Sequence, residues 1–265
     1  MKGFFGKRTE KIFDLHNLEL DKLALYVLPR FIFEIIRKYF RLDVEGFEHI
    51  PQHGKAIVLP NHSGWIGLDV CMIGNEIYKK KHRVPRIIAH KAWFLGDIKI
   101  MSEKMGLIEA STENTMKTLK KNNIVILFPE GESGNFKPTS ERYHLQEFKR
   151  GFVRMALITG APIIPTIVIG AEESSINLAS LKLTKYLRGA IIPIPLNIVP
   201  LPAKWKIKFL EPIKFEGYTA KDAENKELVY RLAAEVQAKM QKALDEELKN
   251  RKWIYFQPDA ASSKV

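Results

Sequence analysis

The sequence predicts an α/β fold with a mostly parallel central sheet flanked by helices. Short apolar segments with strand character alternate with segments of helical periodicity, and 265 residues suit one domain with terminal additions better than two balanced domains. Strands that alternate with helices pair in parallel, because each crossover helix returns the chain to the same edge of the sheet. Strands are predicted at residues 56–59, 86–89, 124–128, 162–169 and 204–209, and helices at residues 69–79, 111–121, 148–159 and 227–248.

An amphipathic helical segment is predicted ahead of this domain. Apolar residues recur at steps of three and four from Leu20 to Phe40, and Pro29 is expected to kink or divide the helix. Cations on the opposite face and nearby aromatic rings suit contact with an anionic membrane surface, although a helix packed on its own domain fits the pattern equally well. We therefore expect a membrane-contact segment at residues 1–42, a single domain at residues 43–256 and a flexible tail at residues 257–265.

Glycine and proline mark the limits of several predicted elements. Gly160 ends the helix at residues 148–159, and Pro162 opens the strand that follows. Residues 187–201 are apolar, but the prolines in and after this segment exclude a regular helix or a central strand. These prolines are Pro193, Pro195, Pro200 and Pro202. The segment is expected to be a loop that covers the core or contacts lipid.

The charge balance predicts an anionic partner. The chain has 42 Lys and Arg residues against 30 Asp and Glu residues, a formal charge of +12 and a pI near 9.6. The basic residues are widely spread and form no zinc finger, aromatic RNA-binding strand or basic zipper, so no nucleic-acid partner is expected. The anionic partner that we expect is a membrane surface.

Cysteine content and hydropathy predict the compartment. The single cysteine, Cys71, cannot form an internal disulfide, lies in no metal-ligand spacing and is expected to be a buried core thiol. The longest apolar stretches are shorter than the roughly 18 residues that span a bilayer as a helix, and no secretory leader is recognisable. The expectation is a peripheral protein on the cytoplasmic face of a membrane, with neither a transmembrane helix nor a bound metal or other cofactor.

The first candidate for chemistry is His62, in a loop that directly follows a predicted strand. A histidine can act as a general base near neutral pH when a carboxylate accepts its second N–H and fixes its tautomer. Asp69 is the nearest such carboxylate, but in one helix the seven-residue separation would place it about 10 Å away. Gly64 and Gly67 permit a tight loop that would return Asp69 to the imidazole. Taken alone, the pair could also be structural or unpaired.

Two further motifs lie at predicted turns. Phe128-Pro129-Glu130-Gly131 follows a strand and places a carboxylate at a turn, although turns of this composition are common. Gly160-Ala161-Pro162-Ile163-Ile164-Pro165 by itself is a helix end that leads into a strand.

The order of these motifs, with Gly106-Leu107-Ile108 between the first and the second, resembles the four-block pattern of the glycerolipid acyltransferase superfamily, over about residues 46–213. The resemblance implies an acyl transfer in which His62 is the base for an acceptor hydroxyl, Asp69 orients it, and no acyl-enzyme forms. Glu130 and Gly131 match the family's acceptor-binding turn, and Pro162 and Pro165 would shape the acyl-donor site. The implied substrate site also includes Asn61, Ser63 and Gly64 beside the base. The acyl donor would be acyl-CoA or an acyl carrier protein, and the acceptor a lysophospholipid or an acylglycerol.

The sequence departs from the commonest family pattern in two places. The family usually has its Asp five residues after the His, where this chain has Gly67; the longer spacing to Asp69 is similar to a branch related to monoacylglycerol and diacylglycerol acyltransferases. The block after Gly106 lacks the Arg of phosphate-acceptor members, which leaves the acceptor open unless Lys149, Arg150 or Arg142 replaces it.

Two other readings stay open. One is a catalytically inactive lipid-binding relative, against which the retention of His62, Asp69 and Glu130 argues. The other is a hydrolase with Ser63 or Ser133 as its nucleophile, but neither serine lies in a Gly-x-Ser-x-Gly elbow.

Overall fold

The computed structural model describes residues 28–62, 64, 67–96, 98–183 and 190–256. The chain divides into two units, Met1–Arg41 and Leu42–Val265. In the first unit, helix α1 is Leu28–Tyr39, and Pro29 lies in its first turn, where the N–H that proline lacks would have no intrahelical partner. The earlier part of the predicted helix, before Leu28, and the predicted tail lie outside the described residues.

The second unit alternates strands and helices as the sequence pattern predicted. Its strands are β1 Asp43–Glu45, β2 Ala56–Pro60, β3 Arg86–Ala89, β4 Leu107–Glu109, β5 Ile124–Ile126, β6 Ile163–Ile169, β7 Asn177–Leu183, β8 Ala190–Pro195 and β9 Lys206–Phe209. Its α-helices are α2 Leu68–Lys81, α3 Ile98–Lys104, α4 Thr112–Lys120, α5 Glu132–Asn135, α6 Gly151–Thr159, α7 Ala171–Ser174 and α8 Lys226–Lys249. Short 3₁₀ helices lie at Phe47–His49, Lys91–Phe94, Thr139–Glu141 and Ala220–Glu224.

Within the described residues, seven strands form one sheet in the order β1-β9-β6-β2-β5-β3-β4. The pairings are parallel except that of β6 with β9, which is antiparallel. The predicted α/β class with a mostly parallel sheet is therefore confirmed. The central strands β2, β5 and β6 are buried along their whole length, which explains why they read as uninterrupted apolar segments.

Helices α4, α6 and α8 contribute to the main hydrophobic cluster against the sheet. Leu119 of α4, Phe152 of α6 and Met240 of α8 pack with Ile57 of β2 and Val125 of β5, and all five side chains are fully buried. Residues of α8 contribute at steps of four, as the apolar period of residues 227–248 predicted. Among the described residues, no helix is long and apolar enough to cross a bilayer.

The proline-rich segment forms a strand where a loop was expected, so that prediction is wrong. Strand β8 pairs antiparallel with β7 in a separate two-stranded sheet, with Pro193 opposite Ser180. Each strand of a two-stranded sheet has one unpaired edge, so a proline without an N–H can be accommodated there, whereas a central strand would lose a ladder hydrogen bond.

Two adjacent parallel strands bring the candidate motifs to one edge of the sheet. Strands β2 and β5 are parallel neighbours, with Val58 beside Ile126. The chain leaves β2 at Pro60 and enters the His62 loop, and it leaves β5 at Ile126 and enters the Phe128–Gly131 turn. Loops at the carboxyl ends of parallel strands are the usual location of binding sites in open α/β sheets.

Candidate active site

The structure brings His62 and Asp69 into direct contact. Nδ1 of His62 lies 2.8 Å from Oδ2 of Asp69, and the Asp69 side chain is completely buried. An ionised carboxylate can only accept hydrogen bonds, so the imidazole must donate from Nδ1. The other oxygen of Asp69 accepts the backbone N–H of Val70 at 2.8 Å. The imidazole therefore has a fixed tautomer, with Nε2 as the basic nitrogen.

Two glycines in left-handed conformations make this contact possible. Gly64 has φ +76° and Gly67 has φ +71°, and the N–H of Gly67 donates to the carbonyl of Gly64 at 3.0 Å. This turn closes the loop before α2 begins, which places Asp69 in the first turn of the helix beside His62. A side chain at either glycine would be strained, because L-residues rarely adopt these angles.

The ring of His62 is also held from one face. The Phe128 ring lies with its centroid 4.0 Å from that of His62, at an angle of 30°. The imidazole side chain keeps 16% of its surface exposed. Within the described part of the chain, Nε2 has no hydrogen-bond partner. This nitrogen is thus the one that can take a proton from a substrate.

Glu130 has a buried carboxylate whose partners are backbone groups of two neighbouring segments. The side chain is fully buried, Oε1 accepts the backbone N–H of His62 at 3.0 Å, and Oε2 accepts the backbone N–H of Gln146 at 2.7 Å. In this geometry both carboxylate oxygens accept backbone N–H groups, and the match of Glu130 to an acceptor-binding turn stays a prediction. Glu130 is a positioning residue, which ties the His62 loop to the turn after β5.

Asn61 is likewise buried and structural. Its side-chain amide donates to the carbonyl of Val168 at 3.0 Å and accepts the N–H of Val168 at 2.7 Å. The amide continues the backbone ladder between β2 and β6 past the end of β2. This residue fixes the position from which His62 projects, and a contact of Asn61 with substrate stays a prediction.

A buried ion network supports Glu130. The ammonium group of Lys137 lies 3.7 Å from Oε2 of Glu130 and 2.9 Å from Oε1 of Glu172, and both of its partners are buried. Oε2 of Glu172 accepts the N–H of Tyr143 at 2.8 Å. Burial raises the pKa of Glu172 to about 7 against the opposing effect of Lys137. The ammonium group of Lys137 thus lies near two buried carboxylates, one of which, Glu130, is hydrogen-bonded to the His62 loop.

Lys149 and Gly131 lie together at the surface of the same turn. Gly131 has φ +58° and ψ −143°, a conformation that is essentially restricted to glycine. A Cβ atom at this position would approach Nζ of Lys149 to 2.7 Å, so the exposed ammonium group lies against the glycine. The Lys149 backbone N–H also donates to the carbonyl of Pro129 at 2.8 Å. Of the predicted substrate contacts, these two residues remain available to a ligand, as does Gly64.

The two prolines that were expected to shape the acyl-donor site, Pro162 and Pro165, lie directly before and within strand β6. Pro162 is level with Ile57 at the start of β2, about five residues or roughly 16 Å along the strand from His62. Pro165 is a buried residue within β6, opposite Leu59. Neither position supports the expected contribution to an acyl-donor site beside His62. Ser63 lies outside the described residues.

Cys71 is not poised to act as a nucleophile. Burial raises the pKa of the Cys71 thiol to about 11, so that the thiol stays protonated at neutral pH and is a poor nucleophile. Among the residues that the structure describes, no cluster of three or more His, Cys, Asp or Glu side chains could hold a metal ion.

Sequence comparisons identify proteins that are similar to this chain. A family model described as Acyltransferase matches residues 41–169. A Mycobacterium tuberculosis protein described as uncharacterized is 36% identical over 273 residues, which covers 96% of this chain and 75% of that protein. A 1-acyl-sn-glycerol-3-phosphate acyltransferase of Limnanthes alba is 29% identical over 185 residues, covering 67% of this chain and 56% of that enzyme.

A structural comparison supports the same fold. The crystal structure of the 1-acyl-sn-glycerophosphate (LPA) acyltransferase PlsC from Thermotoga maritima superposes with a TM-score of 0.54 at 19% identity. The match covers 84% of this chain and 82% of that chain. At this level of identity, the likeness concerns the fold alone.

Sequence reasoning missed Lys137 and Glu172. Glu172 had a usable signal, because it follows the buried strand β6 just as His62 follows β2. Lys137 had none, since an isolated lysine is normally a solvated surface residue.

Replacement of Glu130 by glutamine tests its positioning role. We expect Glu130→Gln to lower the free energy of unfolding by about 1–3 kcal/mol, because the amide group must direct an N–H towards a buried donor. The His62 backbone amide should also exchange with deuterium faster. Urea titration and hydrogen exchange measure the two effects, with Glu132→Gln, at a half-exposed carboxylate, as the matched control. Unchanged stability together with unchanged exchange would contradict the role.

Proposed function

Because this chain belongs to the acyltransferase family of the glycerolipid enzymes, we propose that it transfers a fatty acyl group from an acyl thioester to a hydroxyl of a lipid acceptor. The donor would be acyl-CoA or an acyl carrier protein, and His62 would be the general base. The observation that carries the proposal is the 2.8 Å contact between His62 and the buried Asp69. It supports a ring that is oriented by the carboxylate and whose neutral tautomer carries its proton on Nδ1, so that Nε2 is the proton acceptor.

The proposed reaction needs no covalent acyl-enzyme. Nε2 of His62 takes the proton of the acceptor hydroxyl while the hydroxyl oxygen attacks the thioester carbonyl carbon. The imidazolium that forms is stabilised by Asp69, whose carboxylate is buried and already hydrogen-bonded to Nδ1. Collapse of the tetrahedral intermediate breaks the carbon–sulfur bond, and the thiolate leaves with the proton from His62. The products are an ester and a free thiol.

The acceptor that we propose carries a phosphate, as in the lysophosphatidate acyltransferases. Support comes from the exposed ammonium group of Lys149, which lies against Gly131 one residue after Glu130. A cation at this point can replace the arginine that is absent after Gly106. A neutral acylglycerol is the competing acceptor, and it would have no use for this charge.

We further propose that the protein acts on the cytoplasmic face of an anionic membrane. Helix α1 supports this, because Phe31, Ile32, Ile35 and Tyr39 are 43–64% exposed on one side of the helix. Arg37 and Lys38 lie in its last turn. Apolar residues beside cations are typical of a helix that lies in the headgroup region.

Removal of the imidazole should nearly abolish transfer. We expect His62→Ala to lower kcat by about 10²- to 10⁴-fold, the usual contribution of a general base. Release of free thiol and formation of radiolabelled ester are measured with a panel of lysolipids and acylglycerols. His53→Ala, at an exposed histidine, is the matched control and should keep full activity. Activity of the His62 variant within tenfold of the natural protein would refute the assignment.

Neutralising Lys149 should separate the two acceptor classes. A hydrogen bond to a charged group contributes roughly 1.5–3 kcal/mol, so Lys149→Met should raise KM for lysophosphatidate about tenfold or more. KM for monoacylglycerol should change less than twofold. Lys120→Met, at an exposed lysine of α4, controls for loss of surface charge. An unchanged KM for lysophosphatidate would show that Lys149 does not bind the phosphate.

A further inference from the structure

Strands β7 and β8 and the residues that follow them expose an unusual amount of aliphatic surface. Ile192, Ile194, Leu196 and Ile198 alternate along the chain and are 39–79% exposed, and Val199 is 74% exposed. Leu181, directly opposite Ile192 in the register, is 51% exposed. We call the described part of residues 177–199 the apolar arm. Contiguous apolar surface of this kind usually marks a contact with a protein or a membrane.

The sequence that contains strand β8 and the residues after it has no charge. Residues 189–203 contain neither acidic nor basic side chains, in a chain of which 27% of the residues are charged. The prolines in this segment also remove backbone donors that would otherwise need partners away from water. Both features lower the free-energy cost of placing the segment in an apolar medium.

The arm is fixed to the scaffold of the candidate active site. The buried side chain of Asn177 donates to the carbonyls of Phe136 at 2.7 Å and Lys137 at 3.1 Å, in the segment after the Glu130 turn. A Cβ atom at Gly64 would lie 3.6 Å from Oγ of Ser175, two residues before the arm begins. The arm therefore starts beside the loop that carries His62.

A second group of exposed side chains is connected to the arm through the backbone carbonyls of Glu173 and Ser174. Ser174 accepts from Asn197 and Leu201 at the end of the arm, at 2.9 and 2.8 Å. The preceding residue, Glu173, accepts the hydroxyl of Tyr255 through its carbonyl at 2.9 Å. The segment around Tyr255 exposes Trp253 by 54% and Phe256 by 76%. The exposed cations Lys204 and Lys252 belong to the same region, since the N–H of Lys204 donates to the carbonyl of Ile254 at 2.7 Å.

We propose that the apolar arm, together with Trp253 and Phe256, is a docking surface for the headgroup region of an anionic lipid bilayer. Aliphatic side chains, a tryptophan and lysines are the residues that occupy the boundary between acyl chains and headgroups. The formal charge of +12 complements an anionic surface. The inference rests on the proposed function, because a lipid acceptor must reach His62 from the bilayer, and the arm begins beside the His62 loop.

Vesicle binding tests the docking surface without any reference to catalysis. The variant Ile198→Asp/Val199→Asp changes two highly exposed side chains and should leave the fold intact. Its partition coefficient onto vesicles of phosphatidylcholine with phosphatidylglycerol should fall about tenfold or more. Each substitution removes an aliphatic side chain that would be buried in the bilayer and adds a negative charge that anionic lipids repel. The matched control, Val84→Asp/Met105→Asp, changes two side chains that are 54% and 53% exposed beside strands β3 and β4, and should bind like the natural protein.

The fluorescence of Trp253 reports vesicle binding independently, in a protein whose arm is unaltered. Its fluorescence, obtained by subtracting the spectrum of Trp253→Phe, should shift to shorter wavelength when vesicles are added. The proposal would be overturned if the Ile198→Asp/Val199→Asp variant had the same partition coefficient and the same fluorescence shift as the natural protein. An equal loss in the control variant would also overturn it. Sedimentation would overturn it too, if the natural protein self-associates and the Ile198→Asp/Val199→Asp variant is monomeric but still binds vesicles.

Activity on soluble substrates separates this inference from the proposed function. With a short-chain acyl thioester and a water-soluble acceptor, the Ile198→Asp/Val199→Asp variant should keep the kcat of the natural protein. On acceptor embedded in vesicles, its rate should fall in parallel with binding. If the natural protein transfers no acyl group to any acceptor, the proposed function fails, whereas the vesicle-binding results still decide the docking surface.

Discussion

The buried carboxylate of Glu130 is the constraint on which the geometry of the site depends. It accepts backbone N–H groups from the His62 loop and from the segment at Gln146, so it joins the chain after β2 to the chain after β5. A buried carboxylate is costly unless it is hydrogen-bonded and paired with a cation, and Lys137 supplies the cation. The pairing extends to Glu172, so the support of the catalytic loop is a network and not a single contact.

This network also explains how the site is connected to the surface. Lys137 pairs with both buried carboxylates through its side chain, and its carbonyl accepts a hydrogen bond from Asn177 at the start of the apolar arm. The two functions that we propose, proton transfer at His62 and contact with a bilayer through the arm, therefore share one rigid support.

Much of the fold follows from the sequence, because buried parallel strands are continuous apolar segments and the long helices have a clear period. The pairing of His62 with Asp69 was one of the arrangements that the sequence left open, since Gly64 and Gly67 permit a tight loop and hence a contact that a helix forbids. The three-residue strands β1 and β4 were not predicted, because three residues show no period. Burial was the other limit: nothing in the spacing of Asn61 and Glu130 indicates that their polar groups are buried and bind the backbone. The proline rule excluded a central strand correctly, but it does not exclude a two-stranded sheet such as β7–β8.

The state of the His62 ring tests the account most directly. Nitrogen NMR of protein labelled at its histidines, recorded at a pH where the imidazole is neutral and assigned with His62→Ala, reports which ring nitrogen carries the proton. The account predicts a proton on Nδ1, donated to Asp69, and an unprotonated Nε2. A proton on Nε2 would contradict the account, because the nitrogen that faces the substrate could then accept no proton.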